Sequence, residues 1–266
     1  MTNQKPIYCI LAVDKNNGIA TSTKRNNSSI PWKFKEDFEY FKRITTNVID
    51  CTKSNAVVMG RKTYEDIPEK NRPLVGRLNV IITSTCITGK NIMCFKSPEL
   101  AMEYLNNAIE IERIYIIGGV SLYNQYINSP ITTGLYLTRV NHDYDADLKV
   151  DINLSHYVKV REEIVDCLDL ESKPNLTVNT SFERYLNKNN MNNQTELSYI
   201  TNNKENLEEL QYLNILERIL KNGHYRPTRN AHTYSLFGAH MEFNLENNTF
   251  PLLTTKKCLQ KEYLRN

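Results

Sequence analysis

Up to about Asn187 the chain alternates short apolar runs with segments of helical spacing, and that alternation leaves few folds open. The runs at 8–13, 56–59, 78–82, 114–117 and 135–137 are almost wholly apolar. A half-exposed strand would alternate apolar with polar residues; these do not, so each is expected in a sheet covered on both faces. Helices are expected between them, over 34–45, 62–67, 98–107 and 120–126. That order predicts an α/β fold with a mainly parallel sheet and flanking helices. Two later segments, 157–164 and 176–185, read as an antiparallel pair closing the C-terminal edge.

Glycine is scarce, nine in all, so its positions carry information. Gly60, Gly118 and Gly119 follow directly on apolar strands, and Gly18 ends the loop after the first. Strand-end glycines let backbone approach a ligand closely, and ligands of open α/β sheets bind at the carboxyl ends of strands. The same glycines also serve as plain turn formers.

The first helical segment, opened by Ile30-Pro31-Trp32, places Phe34, Phe38 and Phe41 at i, i+4, i+7, and is expected to bury that face. Asp37 projects toward the same apolar side, while Glu36 and Glu39 are expected to point elsewhere. A carboxylate so placed must find hydrogen-bond donors or stay protonated. It would suit a flat heterocycle bearing paired N–H donors. An acid stabilised at a helix N-terminus is the equally weighted alternative.

With 266 residues the chain has room for one large or two ordinary domains. A formal charge of +3 is too small to argue for nucleic acid or an anionic membrane, and no apolar run approaches bilayer length. Residues 1–7 do not read as a signal peptide. The six cysteines form no CxxC pair or zinc-spaced cluster, so no metal is expected and the thiols read as those of a cytoplasmic protein. Residues 188–205 are rich in asparagine and read as a linker. Residues 206–266 offer an amphipathic helix at 207–220, stopped by Asn222-Gly223, and strands near 234–238, 241–245 and 250–253. That is an incomplete α+β fragment, and self-association through it is expected.

Several segments of residues 1–187 match one known pattern in order and spacing. They are Ile10-Leu11-Ala12-Val13, Gly18-Ile19, Ile30-Pro31-Trp32 with Asp37 beyond, Val58-Met59-Gly60-Arg61-Lys62-Thr63, Ile67-Pro68, Leu74 to Arg77, Ile116-Ile117-Gly118-Gly119, Tyr123 and Thr138. Over this length the chain resembles dihydrofolate reductase. The resemblance implies NADPH-dependent reduction of 7,8-dihydrofolate. It assigns Asp37 as the carboxylate that accepts two hydrogen bonds from the pterin and promotes protonation of the imine nitrogen. Thr138 is the hydroxyl that bonds to that carboxylate, and Trp32 joins the catalytic set. Leu11, Phe38, Phe41, Ile67 and Leu74 would wall the substrate; the carbonyls of Ile10 and Ile117 would meet the pterin amino group, with Tyr123 beside them. Arg77 would clamp the glutamate tail.

For the cofactor, the resemblance implies that Gly60, Arg61, Lys62 and Thr63 bind phosphate where a strand enters a helix. Arg61 would favour NADPH over NADH, with Thr83 and Ser84 adding hydroxyls. Gly118 and Gly119, joined by a cis bond, would approach the pyrophosphate together with Val120, Ser121 and Leu122. Ala12, Gly18 and Ile19 complete the set. Two features depart from the pattern: loop 20–29, the lid, is long, and 147–151 lacks the usual Phe and Pro, which questions the closing hairpin.

Residues 210–257 resemble the N-terminal part of thymidylate synthase, making the chain similar to a fused reductase–synthase of protists, cut short. Arg229 falls at a phosphate-binding position, but Asn230-Ala231-His232 replaces glycines and the stretch to Phe237 is one residue short. Cys258 is no substitute for the missing nucleophile, so no synthase activity is expected. The competing expectations are a pyrimidine reductase on the same fold, opposed by Asp37, Phe38 and Arg77, and an inactive folate- or nucleotide-binding remnant.

Overall fold

The computed structural model describes residues 4–23, 28–170 and 176–190, and farther on 215, 218–219, 223–227 and 232–235. Contacts divide the chain into two compact units, Met1–Asn193 and Gln194–Asn266. In the first, β1 (Ile7–Val13), β2 (Gly18–Ala20), α1 (Lys35–Thr46), β3 (Ser54–Gly60), α2 (Arg61–Asp66), β4 (Arg77–Ile82) and β5 (Ile92–Phe95) follow in order. Then come α3 (Pro98–Asn107), β6 (Ile111–Ile116), α4 (Val120–Tyr126), β7 (Gly134–Val140), β8 (Leu148–Lys149), β9 (Tyr157–Leu168) and β10 (Thr177–Asn187). Eight strands form one sheet, ordered β5-β4-β3-β6-β1-β7-β10-β9. Pairing is parallel from β5 to β7, and β10 runs antiparallel to both β7 and β9. The expected mainly parallel sheet with an antiparallel edge is therefore the fold.

The reason lies in strand alternation. Along β1, Ile7, Cys9, Leu11 and Val13 enter one core cluster, while Tyr8 and Ile10 enter another on the opposite face. The first cluster is covered by α3 and α4 through Ala101, Met102, Leu105, Leu122 and Tyr126. The second is covered by Tyr40, Phe41 and Ile44 of α1 and Tyr64 of α2. With helices on both faces, central strands have no solvent side to mark with polar residues. α3 begins where expected because Ser97 caps it, accepting from the Leu100 amide at 3.4 Å, and Pro98 fits its first turn.

The closing hairpin forms without the expected Phe and Pro. Val150 is buried in the first cluster and Ile152 packs against it, while the Val150 amide donates to Asn17 at 3.1 Å. β8 pairs with β2, and β9 pairs with β10 from Tyr157↔Asn187 to Leu168↔Thr177. In the second unit β11 (His224–Pro227) pairs antiparallel with β12 (His232–Ser235). Residues 215 and 218–219 are helical, as expected within 207–220. Gly223 donates to the Ile219 carbonyl at 2.9 Å, and a Cβ there would meet that oxygen at 2.2 Å, which explains glycine as the stop. The linker beyond 190, Arg229, Cys258 and the remaining strands expected after 235 lie outside the described residues.

Candidate active site

Asp37 stands in the first turn of α1, as does Glu36, so the helix-dipole reading is satisfied along with the other. Its carboxylate is not left to the helix alone: the Thr138 hydroxyl donates to Oδ1 at 2.8 Å. Thr138 lies near the middle of β7, in register with Ala12 on β1 and Phe182 on β10. Burial pushes the Asp37 carboxyl up to about 6, against the opposing pull of the Thr138 hydrogen bond.

The expected buried face of α1 is only partly buried. Phe34 caps the helix and is fully enclosed, in a cluster with Trp32, Tyr144 and Phe182. Phe41 packs against the Ile10 cluster, but Phe38, between them, is 52% exposed. The middle of this face is therefore open to solvent. Glu36 Oε2 is buried, with no hydrogen-bond partner among the described residues. Ile10 and Ile117 share one cluster, with Ile67 and Leu74 packed against it. Leu11 does not join them; it points through the sheet into the α3/α4 cluster, because neighbours on a strand face opposite ways. Tyr123, in α4, donates its hydroxyl to the Ile10 carbonyl at 2.8 Å, using one of that oxygen's two lone pairs. Trp32 is buried, and its Nε1 has no hydrogen-bond partner among the described residues.

Arg77, first residue of β4, is buried with its Nε donating to the Val75 carbonyl at 3.1 Å and Nη1 to the Thr45 hydroxyl at 2.6 Å. Its guanidinium lies 5.7 Å from the Phe41 ring centroid. Among the described ion pairs none involves Arg77, and burial lowers it to about 10. A buried cation held only by neutral groups favours an incoming carboxylate.

Elsewhere on the sheet the ends of β3 and β6 meet. The Gly60 amide donates to the Gly118 carbonyl at 2.8 Å, and the Gly118–Gly119 peptide is cis. Gly118 has φ +106, and a Cβ on it would lie 2.9 Å from the Tyr123 ring. Gly119 brings its backbone to the Thr63 hydroxyl, with a virtual Cβ at 3.4 Å. Arg61 is exposed and tied down: Nε pairs with Glu65 at 2.7 Å and Nη1 donates to Thr85 at 3.2 Å. Thr83 accepts from the Thr85 amide at 3.1 Å. Lys62, Ser84 and Ser121 are exposed and Val120 half-buried, whereas the Leu122 side chain lies in the core, leaving only its backbone toward the turn. Thr85 was not among the sequence candidates; its place two residues past Thr83 was the available signal. Gly18 tolerates no Cβ, which would fall 2.4 Å from that of Ala146, and Ile19 packs on the core.

The loop after β2 is fastened at both ends. Asp147 accepts from the Ser22 amide at 2.6 Å and from its hydroxyl. Asp66, at the end of α2, accepts from the Ser29 hydroxyl at 2.6 Å, and the Thr21 amide donates to the Ser29 carbonyl at 2.7 Å. Residues 24–27 lie outside the described part.

A mixed sheet, one carboxylate held by a β7 hydroxyl, a buried arginine with no ion-pair partner among the described residues and a glycine turn make up the candidate site. The dihydrofolate reductase family profile matches residues 6–184, and that of thymidylate synthase matches 210–266. The dihydrofolate reductase of Drosophila melanogaster is 38% identical over 141 residues, covering 52% of this chain and 75% of the fly protein. The bifunctional dihydrofolate reductase-thymidylate synthase of Zea mays is 33% identical, covering 86% of this chain and 48% of its own. That of Paramecium tetraurelia is 32% identical, covering 97% and 49%. The chain spans about half the length of these bifunctional relatives. It belongs to the dihydrofolate reductase family.

Proposed function

We propose that residues 6–184 carry out NADPH-dependent reduction of 7,8-dihydrofolate to tetrahydrofolate. The observation that carries this reading is Asp37, anchored by Thr138 at 2.8 Å. Its two oxygens suit the paired N–H donors of a pterin, a bidentate match that fixes the ring. With its pKa near 6, the group holds and releases a proton at the pH where the imine nitrogen must acquire one, through an intervening water. The apolar walls keep bulk water from the reacting edge, and Arg77 fits the glutamate carboxylate.

The residues present also fit NADPH. Gly118 and Gly119 admit close backbone approach, and Arg61, Lys62, Thr63 and Thr85 gather cationic and hydroxyl groups at the ends of β3 and β4. The cofactor supplies the hydride when bound. The five described cysteines are free thiols, which fits a reducing, cytoplasmic setting.

Mixing the protein with NADPH and dihydrofolate and following the loss of cofactor absorbance tests the reading. Turnover is expected, with a loss of at least about 100-fold in Asp37→Asn, in the range for removal of a general acid. A folded protein without turnover, or an unimpaired variant, overturns it.

A further inference from the structure

Deepening that reading, and resting on it for the rate measurement alone, we propose that Tyr144 and Asp169 form a positioning pair that fixes the Trp32 indole and the entry to α1. Tyr144 lies in the loop after β7, and Asp169 immediately follows β9. The Tyr144 hydroxyl donates to Asp169 Oδ2 at 2.8 Å, and each residue is 1% exposed. A carboxylate so enclosed needs hydrogen bonds, and it can only accept them, so the hydroxyl is held as the donor and the phenol ring is fixed with it. Burial first, and then Asp169, hold the phenol's pKa well above its ordinary value, so it keeps its proton.

The fixed ring is the surface on which the site entry packs. Trp32 meets it with ring centroids 5.4 Å apart and Phe34 at 6.5 Å, edge-on; His142 supports it at 4.9 Å. The Trp32 Nε1 is buried with no hydrogen-bond partner among the described residues, and the indole packs directly on the Tyr144 ring. A second tie runs beside the first: the Leu170 amide donates to the Lys33 carbonyl at 3.0 Å. Asp169 is itself tied to the far strand, donating its amide to Leu176 at 2.9 Å. Asp169 and Leu170, at the end of β9, thus hold the Tyr144 ring beneath Trp32 and the Lys33 backbone, and Asp37 follows in the first turn of α1. The Tyr144 loop also carries Asp147, the anchor of Ser22 in the lid. One hydroxyl therefore ties the end of β9 to the ring on which the indole packs.

Trp32 is the only tryptophan of the chain, so its fluorescence reports on the pair directly. The full-length protein is compared with Tyr144→Phe, Asp169→Asn and Tyr157→Phe. Tyr157 makes a similar buried bond, to the Ile127 carbonyl at 2.5 Å, and its ring lies in the α3/α4 cluster, remote from Trp32. Tyr144→Phe is expected to shift the emission maximum and raise quencher access, and to lower kcat about three- to tenfold with the dihydrofolate KM within about twofold. Asp169→Asn keeps an acceptor for the hydroxyl and is expected to stay close to the parent in both readouts. Tyr157→Phe is expected to lower Tm without moving either. If Tyr144→Phe does not fold, Asp169→Ala is read by the same criteria. Unchanged emission in the folded variant, or an equal loss of kcat in Tyr157→Phe, overturns the proposal. Absence of turnover in the parent protein would instead sink the reductase reading, and the emission comparison would still decide the pair.

Discussion

Thr138 reaches across from the middle of β7 to donate to Asp37 at 2.8 Å, and this bond opposes the burial that drives the Asp37 carboxyl up to about 6. The hydroxyl favours the charged form; burial favours the neutral one. Thr138→Val removes only the first influence. The pKa seen in the pH profile of the hydride step should then rise by about one unit, the equivalent of one hydrogen bond to a charged group. Single-turnover rates across pH 5–9 check this, and an unmoved profile would mean that Thr138 does not govern the acid.

The same burial makes Asp37 a stability liability at neutral pH. Its folded pKa, about 6, lies above its ordinary 3.8, so the folded state holds the proton more tightly. The stabilisation is complete below about 4 and is lost as pH rises through about 6. Asp37→Asn should therefore be more stable than the parent at pH 8 by about 1–2 kcal/mol, discounted for the residue's partial exposure, and the gap should close below pH 4. Urea melts at both pH values measure it; a gap that widens toward low pH has the wrong sign.

Arg77 presents a buried guanidinium bonded to Thr45 and Val75, with no carboxylate partner among the described ion pairs. Arg77→Leu keeps the bulk under Phe41 but removes the charge. The KM for dihydrofolate should rise roughly 10- to 100-fold, as expected for losing a charged hydrogen bond, while a pterin substrate without the glutamate tail should be little affected. Equal losses on both substrates would point to a packing defect.

Sheet and helices were legible because central strands and amphipathic helices write opposite periodicities. β5 was not, since Ile92 to Phe95 is half-buried and short, on an edge. Of the site, Asp37 with Thr138 and the paired glycines could be recognised from residue type and order. The facing of Leu11 could have been derived from strand alternation relative to Ile10. The exposure of Phe38 could not, because helical spacing shows which residues share a face, not what that face meets. The Tyr144–Asp169 bond joins residues 25 apart through a hairpin, and such register is a tertiary fact.

Asp147 holds the Ser22 end of the lid by two hydrogen bonds, and its carboxyl sits below the usual range because of them, the hydroxyl first. Asp147→Ala should free that end while Asp66 keeps the other. The hydride step should slow by about two- to tenfold, the span of one or two net hydrogen bonds, with amide exchange at Ser22 accelerated. Faster exchange at Ser29 instead would show that the two anchors act as one.

Arg61 lies at the entry to α2, where the strand-end backbone offers amides to a phosphate, but its guanidinium is already engaged by Glu65 and Thr85. Both partners are exposed, so the existing ion pair is weak and yields readily to a doubly charged phosphate. Arg61→Ala should raise the KM for NADPH about 10-fold and leave that for NADH nearly unchanged, because only the former carries the extra phosphate. Glu65→Gln, which releases the arginine from competition, should move the NADPH value the opposite way by a smaller factor. Raising salt should shrink both differences, since the site is open to solvent. Parallel titrations with the two nucleotides separate this from a general loss of cofactor binding: a variant that weakens both equally would place Arg61 on the backbone of the dinucleotide and not on its distinguishing phosphate.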